Sequence, residues 1–198
     1  MKTPKSLLIL LVIFVGSSWL IYECKYYISY WLDTSSRPWA YSTDAKAKLL
    51  VGKWQGSFVD PDNVTKTLEI EVFEPISEEE RERRAARKRT TRRRRENKQA
   101  FEGNAVAKSK LGTETYEIYG AVKKADYHAL RFNFRPEDEK KRVLPNFTLL
   151  EANNGNWQGD AMTLTLSFTY HNADGSSTWK SSDPRHSKKV IARLNRVP

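Results

Sequence analysis

MTLTLSFTY, residues 162–170, alternates without a break: Met162, Leu164, Leu166, Phe168 and Tyr170 fall on one side of an extended chain, Thr163, Thr165, Ser167 and Thr169 on the other. Period two marks a strand with one face buried and one wet. The pattern recurs upstream. TLEIEVF (67–73) sets Leu68, Ile70 and Val72 against Glu69 and Glu71; YEIYGAV (116–122) groups Tyr116, Ile118, Gly120 and Val122; ALRFNFR (129–135) sets Leu130, Phe132 and Phe134 against Arg131, Asn133 and Arg135. GKWQGSF, FEGNAVA, NFTLLE, STWKSS and KKVIARL are further runs, and Pro61-Asp62-Asn63, Asn153-Asn154-Gly155 and Ala173-Asp174-Gly175 read as turns. Together they predict eight or nine strands.

Strands with one apolar face and short connections form an antiparallel meander, which must hide its edges. The sequence therefore predicts an all-β fold, an antiparallel up-and-down β-barrel of about eight strands, because closure pairs the edges and the alternating side chains fill the interior. A two-sheet sandwich shares the same periodicity and stays open as the alternative.

A short string occurs twice, GKWQG at 52–56 and GNWQG at 155–159. Gly52-Lys53-Trp54, opening the first strand, resembles the Gly-x-Trp signature of lipocalins and related small barrels, the avidin-like group among them. That resemblance implies a Trp54 seated at the barrel base and covered by a basic residue of the last strand, for which Arg193 or Arg196 stands in place. Trp157 reads as a second packing residue at a barrel rim, with Gly155 closing a turn before it.

Before the barrel, Lys2 and Lys5 precede SLLILLVIFVGSSWLIY (Ser6–Tyr22), an apolar run without a polar face. It is expected to direct the chain to a membrane as a transmembrane helix or signal segment spanning 1–32. Gly16-Ser17-Ser18 offers a cleavage-like site, whereas Trp19, Tyr22, Tyr26, Tyr27, Tyr30 and Trp31 resemble the interfacial belt of a retained anchor. The retained reading puts the N-terminus in the cytoplasm and the barrel on the extracytoplasmic, periplasmic side. Cys24, the single cysteine, lacks the small residue that lipoprotein processing needs before it. Residues 33–48 read as a polar linker ending in a short helix, and 49–198 as the barrel.

The formal charge is +10, yet Arg81–Lys98 holds eleven Lys or Arg against Glu82 and Glu96, which leaves the rest of the chain near neutral. Charge thus belongs to one insertion, 77–99, which interrupts the strand series. Ser77 and Glu80 form a capping box at its start. Arg81, Arg83, Arg84, Arg87, Lys88, Arg89, Arg92, Arg93, Arg94 and Arg95 are its candidate polyanion contacts, with an anionic lipid surface or an envelope polyanion as partner. Nucleic acid fits less well, since the aromatics expected of a single-strand binder are absent from the segment.

No catalytic motif is present. His128, His171 and His186 stand at no metal-ligand spacing, and neither a nucleophile elbow nor a phosphate loop occurs. Neither an enzyme nor a cofactor is expected. Two functions are expected instead: a membrane-anchored binding or scaffold module working through the basic insertion, or a carrier of a small apolar ligand lined by Phe58, Tyr116, Phe132, Phe134, Met162 and Phe168.

Overall fold

A computed structural model describes residues 4–77, 97–139, 142–178 and 184–197. The chain divides into two units, one of 1–37 with 76–95, the other of 38–75 with 96–198. In the first unit, helix α1 runs Pro4–Ser36. Its last turn is fixed by Arg37, whose guanidinium pairs with Asp33 Oδ1 at 3.3 Å and donates to the Ile76 carbonyl at 2.9 Å.

The expected membrane span is not supported by the helix as described. Among the described residues no helix is long and apolar enough to cross a membrane. The apolar run begins at Ser6, side chains are described only from Leu11 onward, and Gly16, Ser17 and Ser18 dilute the apolar character of the remainder. Leu11, Phe14 and Ile21, for example, are exposed by 60%, 69% and 69%.

The second unit is the barrel. Its strands are β1 (Gly52–Val59), β2 (Thr65–Val72), β3 (Ala100–Ser109), β4 (Gly112–Val122), β5 (Ala129–Pro136), β6 (Asn146–Gln158), β7 (Ala161–His171), β8 (Ser177–Thr178) and β9 (Val190–Val197). Each of the first seven pairs antiparallel with the next, β9 bridges β7 and β1, and β8 lies beside the end of β7. Eight strands thus close into a ring without a free edge, which decides for the barrel over the sandwich. The alternation read from sequence is the burial pattern: in β7, Met162, Leu164, Leu166 and Phe168 are buried while Ala161 and Thr163 are exposed.

Two sequence expectations change. Asn153-Asn154-Gly155 makes no turn: β6 runs through it for 13 residues with a register shift against β7, and Asn154 takes a φ of 49°. A bulge absorbs one residue without reversing the chain. The reversal comes later, where Gly159 (φ 58°) and Asp160 join the paired residues Gln158 and Ala161.

The stretch read as a linker is also part of the barrel unit from Pro38 onward. Trp39, Ala40 and Leu50 are buried in the core. The Leu50 amide donates to the Trp39 carbonyl at 2.8 Å, and the Trp39 ring lies 6.0 Å from that of Phe101. Turns connect these residues, and the short helix expected there does not form. A large aromatic outweighs the polar composition around it because its burial removes far more apolar area from water.

Candidate functional site

Antiparallel closure gives the barrel two chemically different ends. One holds the starts of β1, β3, β5 and β7 and is sealed by Trp39, Trp54 and Trp157, exposed by 1%, 0% and 2%. Trp54 Nε1 donates to the Leu50 carbonyl at 2.9 Å. The Arg196 guanidinium lies 4.4 Å from the centre of its ring, donates to the carbonyls of Val51 and Leu49, and pairs with Asp160. Arg193, its fellow candidate, points outward between Ser57 and Thr163. Trp157 donates to the Tyr127 carbonyl at 3.0 Å and packs on the His128 ring at 4.8 Å.

The two copies of the string do different work with the same letters. At Gly56 a side chain would collide with the Arg193 backbone, so this glycine lets β9 close against β1. Its counterpart Gly159 stands in open space and serves the turn by its positive φ. Gly52 also takes a positive φ, 122°, with Arg196 lying where its side chain would be.

The six residues read as ligand lining, Phe58, Tyr116, Phe132, Phe134, Met162 and Phe168, all point inward and are all buried. Five of them meet other rings. Phe101 lies 5.9 Å from Phe132, Phe132 5.0 Å from Phe134, and Phe134 5.6 Å from Tyr116. Phe58 and Phe147 lie 5.8 and 6.2 Å from Phe168. These are packing distances for aromatic pairs, so the rings fill the interior by contact with one another. Met162 sits across from Trp157. The ten basic residues from Arg81 to Arg95 lie outside the described residues.

The opposite end carries the chemistry. Lys66 is 2% exposed, and its Nζ meets Asp60 Oδ2 at 3.3 Å, Asn146 Oδ1 at 2.8 Å and the Phe147 carbonyl. Three acceptors match the three protons of an ammonium group. Asp60, itself 1% exposed, uses its other oxygen to accept from the amides of Asp62 and Val64 at 2.9 Å each, fixing the β1–β2 turn. Asn146 passes the network on, donating through Nδ2 to Glu114 Oε2 at 3.0 Å. Tyr116 comes next, its hydroxyl accepting from the Leu149 amide at 3.3 Å.

Burial pushes the Glu114 carboxyl above its ordinary value, against the pull of the Lys66 charge and of hydrogen bonds from Tyr116, Asn146 and the Val143 backbone. Burial, joined by the neighbouring Glu114, likewise pushes the Tyr116 phenol far up. His171, opposite Asn146, is held below its ordinary value by burial and then by the Arg142 charge. Above this network a cleft of about 290 Å³ is lined by Glu114, Tyr116, Pro136, Glu137, Asp138 and Arg142 among others. A groove of about 340 Å³ on the outer wall gathers Lys53, Glu69 and Glu71 but no buried polar group.

Of this network only Tyr116 was singled out by sequence. The signal was present: continuing the inward phase of β2 back from Leu68 reaches Lys66, and that of β4 back from Tyr116 reaches Glu114. A charge on the inward phase implies a partner inside. Among the described residues no group of three or more His, Cys, Asp or Glu could hold a metal ion.

Fold and site together define a closed, eight-stranded antiparallel barrel with an aromatic base, a ring-filled interior and a polar mouth. No protein family and no curated protein matches the chain. Among solved structures it is similar to a de novo designed fluorescence-activating β-barrel at 13% identity and TM-score 0.42, over 79% of this chain and 100% of that one. A structure of EF1p2_mFAP2b bound to DFHBI matches at 11% and 0.45, over 75% and 94%. A redesigned β-barrel matches at 12% and 0.43, over 80% and 100%. At these values the likenesses bear on neither ligand nor ancestry, and the lipocalin resemblance stays at the level of the barrel.

Proposed function

We propose that this protein is a membrane-tethered barrel module that binds through its exterior and its basic insertion rather than by enclosing a ligand. The observation that carries this reading is the ring stack: with Phe58, Tyr116, Phe132, Phe134 and Phe168 in contact with other rings, binding surface is left to the outside. Helix α1 supports the tether, because its described apolar side chains at 11–15 and 19–21 are exposed around the helix, and water is a poor solvent for such a surface. With the N-terminus cytoplasmic, the barrel and the +9 segment Arg81–Lys98 stand on the extracytoplasmic side, where an anionic lipid surface or envelope polyanion is the partner.

The test uses the full chain reconstituted in neutral nanodiscs and challenged with anionic vesicles. Capture is expected at low salt, and it should fall as salt shortens the screening length to about 8 Å at physiological strength. A variant lacking residues 77–99 should not capture. Equal capture by that variant refutes the role of the insertion, and release of the full chain from cell membranes by alkaline carbonate refutes the tether. A carrier of a small apolar ligand needs the rings to part. A rise in melting temperature with a saturating apolar ligand, lost in Phe168→Trp, would move the assignment there.

A further inference from the structure

Irregularity in this barrel is confined to one strand. Every described pairing keeps its register except those of β6, which slips against β5 between Leu130 and Phe132, and against β7 at 149/151 and again at 153/156. Asn154, inside the last of these slips, takes a φ of 49°. Bulges break ladder hydrogen bonds and re-aim side chains, and they gather beside functional sites. The side chains that this stretch of β6 sends outward, Glu151 and Asn153, line a groove of about 350 Å³ on the outer wall with Arg131 and Asn133 from β5 and Tyr119 and Ala121 from β4. Tyr119 lies beside Asn133 and Asn133 beside Glu151, a row about 10 Å long across three strands. Ala121 lies beside Arg131, and its methyl group leaves the wall open next to Tyr119. The Tyr119 hydroxyl donates to Glu117 Oε2 at 2.8 Å, which tilts the ring along β4 away from that opening and leaves it 42% exposed.

The polar groups of this groove do not serve the fold. Among the described residues Arg131 and Glu151 have no ion-pair partner, although they stand on adjacent strands within diagonal reach of one another. The side chains of Asn133 and Asn153 likewise make no hydrogen bond among the described residues, although Glu151 and Asn153 are half-buried. Opposite charges held apart and two primary amides make a wall that donates and accepts in turn and carries no net charge.

We propose that this groove is a binding site for a neutral saccharide, held through its hydroxyls by Arg131, Asn133, Glu151 and Asn153 and covered on one face by the Tyr119 ring. A sugar hydroxyl both donates and accepts, which suits Arg131 as donor, Glu151 as acceptor and the two amides as both. The C–H face of a pyranose is apolar and suits the exposed phenol ring. An anion drawn to Arg131 meets Glu151, and a cation drawn to Glu151 meets Arg131, so the cancelling charges select against either ion. The site lies wholly within the barrel and depends on neither the tether nor the basic insertion.

The experiment is saturation-transfer difference NMR on the full chain in neutral nanodiscs, against empty nanodiscs, with methyl β-glucoside, methyl β-galactoside and methyl N-acetyl-β-glucosaminide as probes. At least one is expected to receive saturation, strongest at its ring protons. Tyr119→Ala, and the double variant Asn133→Ala, Asn153→Ala, should each weaken that binding about tenfold or more. Gln55→Ala, in the other outer-wall groove, should leave it unchanged. These side chains all stand on the outer wall, so melting temperatures should stay at the wild-type value and separate loss of binding from loss of fold. The proposal is overturned if no probe receives saturation, if the double variant binds as wild type does, or if Gln55→Ala weakens binding as much as Tyr119→Ala. Displacement of the bound sugar by an equal concentration of inorganic phosphate or of methylguanidinium would overturn it too, by making the groove an ion site built on Arg131 or on Glu151.

Discussion

Replacing Lys66 by methionine tests the chemistry of the barrel mouth most directly. Methionine fits the length of the lysine stem and keeps its packing, so the change isolates the ammonium group. Its removal strips the counter-charge from Asp60, 1% exposed, and a donor from Asn146 Oδ1 and the Phe147 carbonyl. Breaking a buried pair by deleting one partner costs about 3–5 kcal/mol, because the charge left behind has no compensation. For a domain of this size that corresponds to a fall in melting temperature of about 6–20 °C. Asp60→Asn keeps the oxygen that accepts from the Asp62 and Val64 amides while removing the charge. The double variant Asp60→Asn, Lys66→Met should therefore recover much of the loss, as apolar or neutral replacement of a whole buried pair often does. Urea unfolding of the four proteins in one buffer closes the cycle. A Lys66→Met variant within about 1 kcal/mol of wild type would show that the ammonium is solvated or unpaired, and a double variant no better than the single one would show that Asp60 is not its counter-ion.

Trp54→Ala should cost about 3–5 kcal/mol in the same assay, as for other buried large aromatics, and an unchanged melting temperature would refute its burial. Arg196→Met removes the cation over that ring, for which a loss of about 0.5–2 kcal/mol is expected, whereas Arg193→Met on the outer wall should leave stability unchanged. Gly56→Ala forces a methyl group into the Arg193 backbone and should cost about 1–3 kcal/mol by unfolding, against no steric clash at Gly159. His171 is held neutral by burial, so its contribution is present above its ordinary 6.5 and is lost as pH falls through its lowered value. Unfolding free energies taken downward from pH 7.5 should show that slope in wild type and a shallower one in His171→Gln.

Much of the barrel is written in one dimension. The strands around Leu68, Ile118, Phe132 and Leu166 declare their inner faces because pleating sends alternate side chains to opposite sides, and eight such strands need closure to pair their edges. Gly-x-Trp with a basic residue near the C-terminus similarly located the base, since both partners sit on strands whose order closure brings together. What the local pattern could not decide depends on contacts far apart in the chain. Whether Asn153-Asn154-Gly155 bends or bulges was settled by the register of β6 against β7, and whether Arg193 or Arg196 covers Trp54 by the pairing of β9 with β1, which sets Arg196, on the inward phase of Val190, Ala192 and Leu194, opposite Trp54. Trp39 joins the core although the stretch 33–48 is largely polar, because the base of the barrel offers apolar area that composition does not announce. Lys66, Asn146 and Glu114 stand on three different strands, so their network exists only once the ring is closed. Charge on an inward phase was visible in the sequence; the partner that makes it tolerable was chosen by tertiary structure, since side-chain pairing at about 3 Å depends on distances that strand periodicity does not encode.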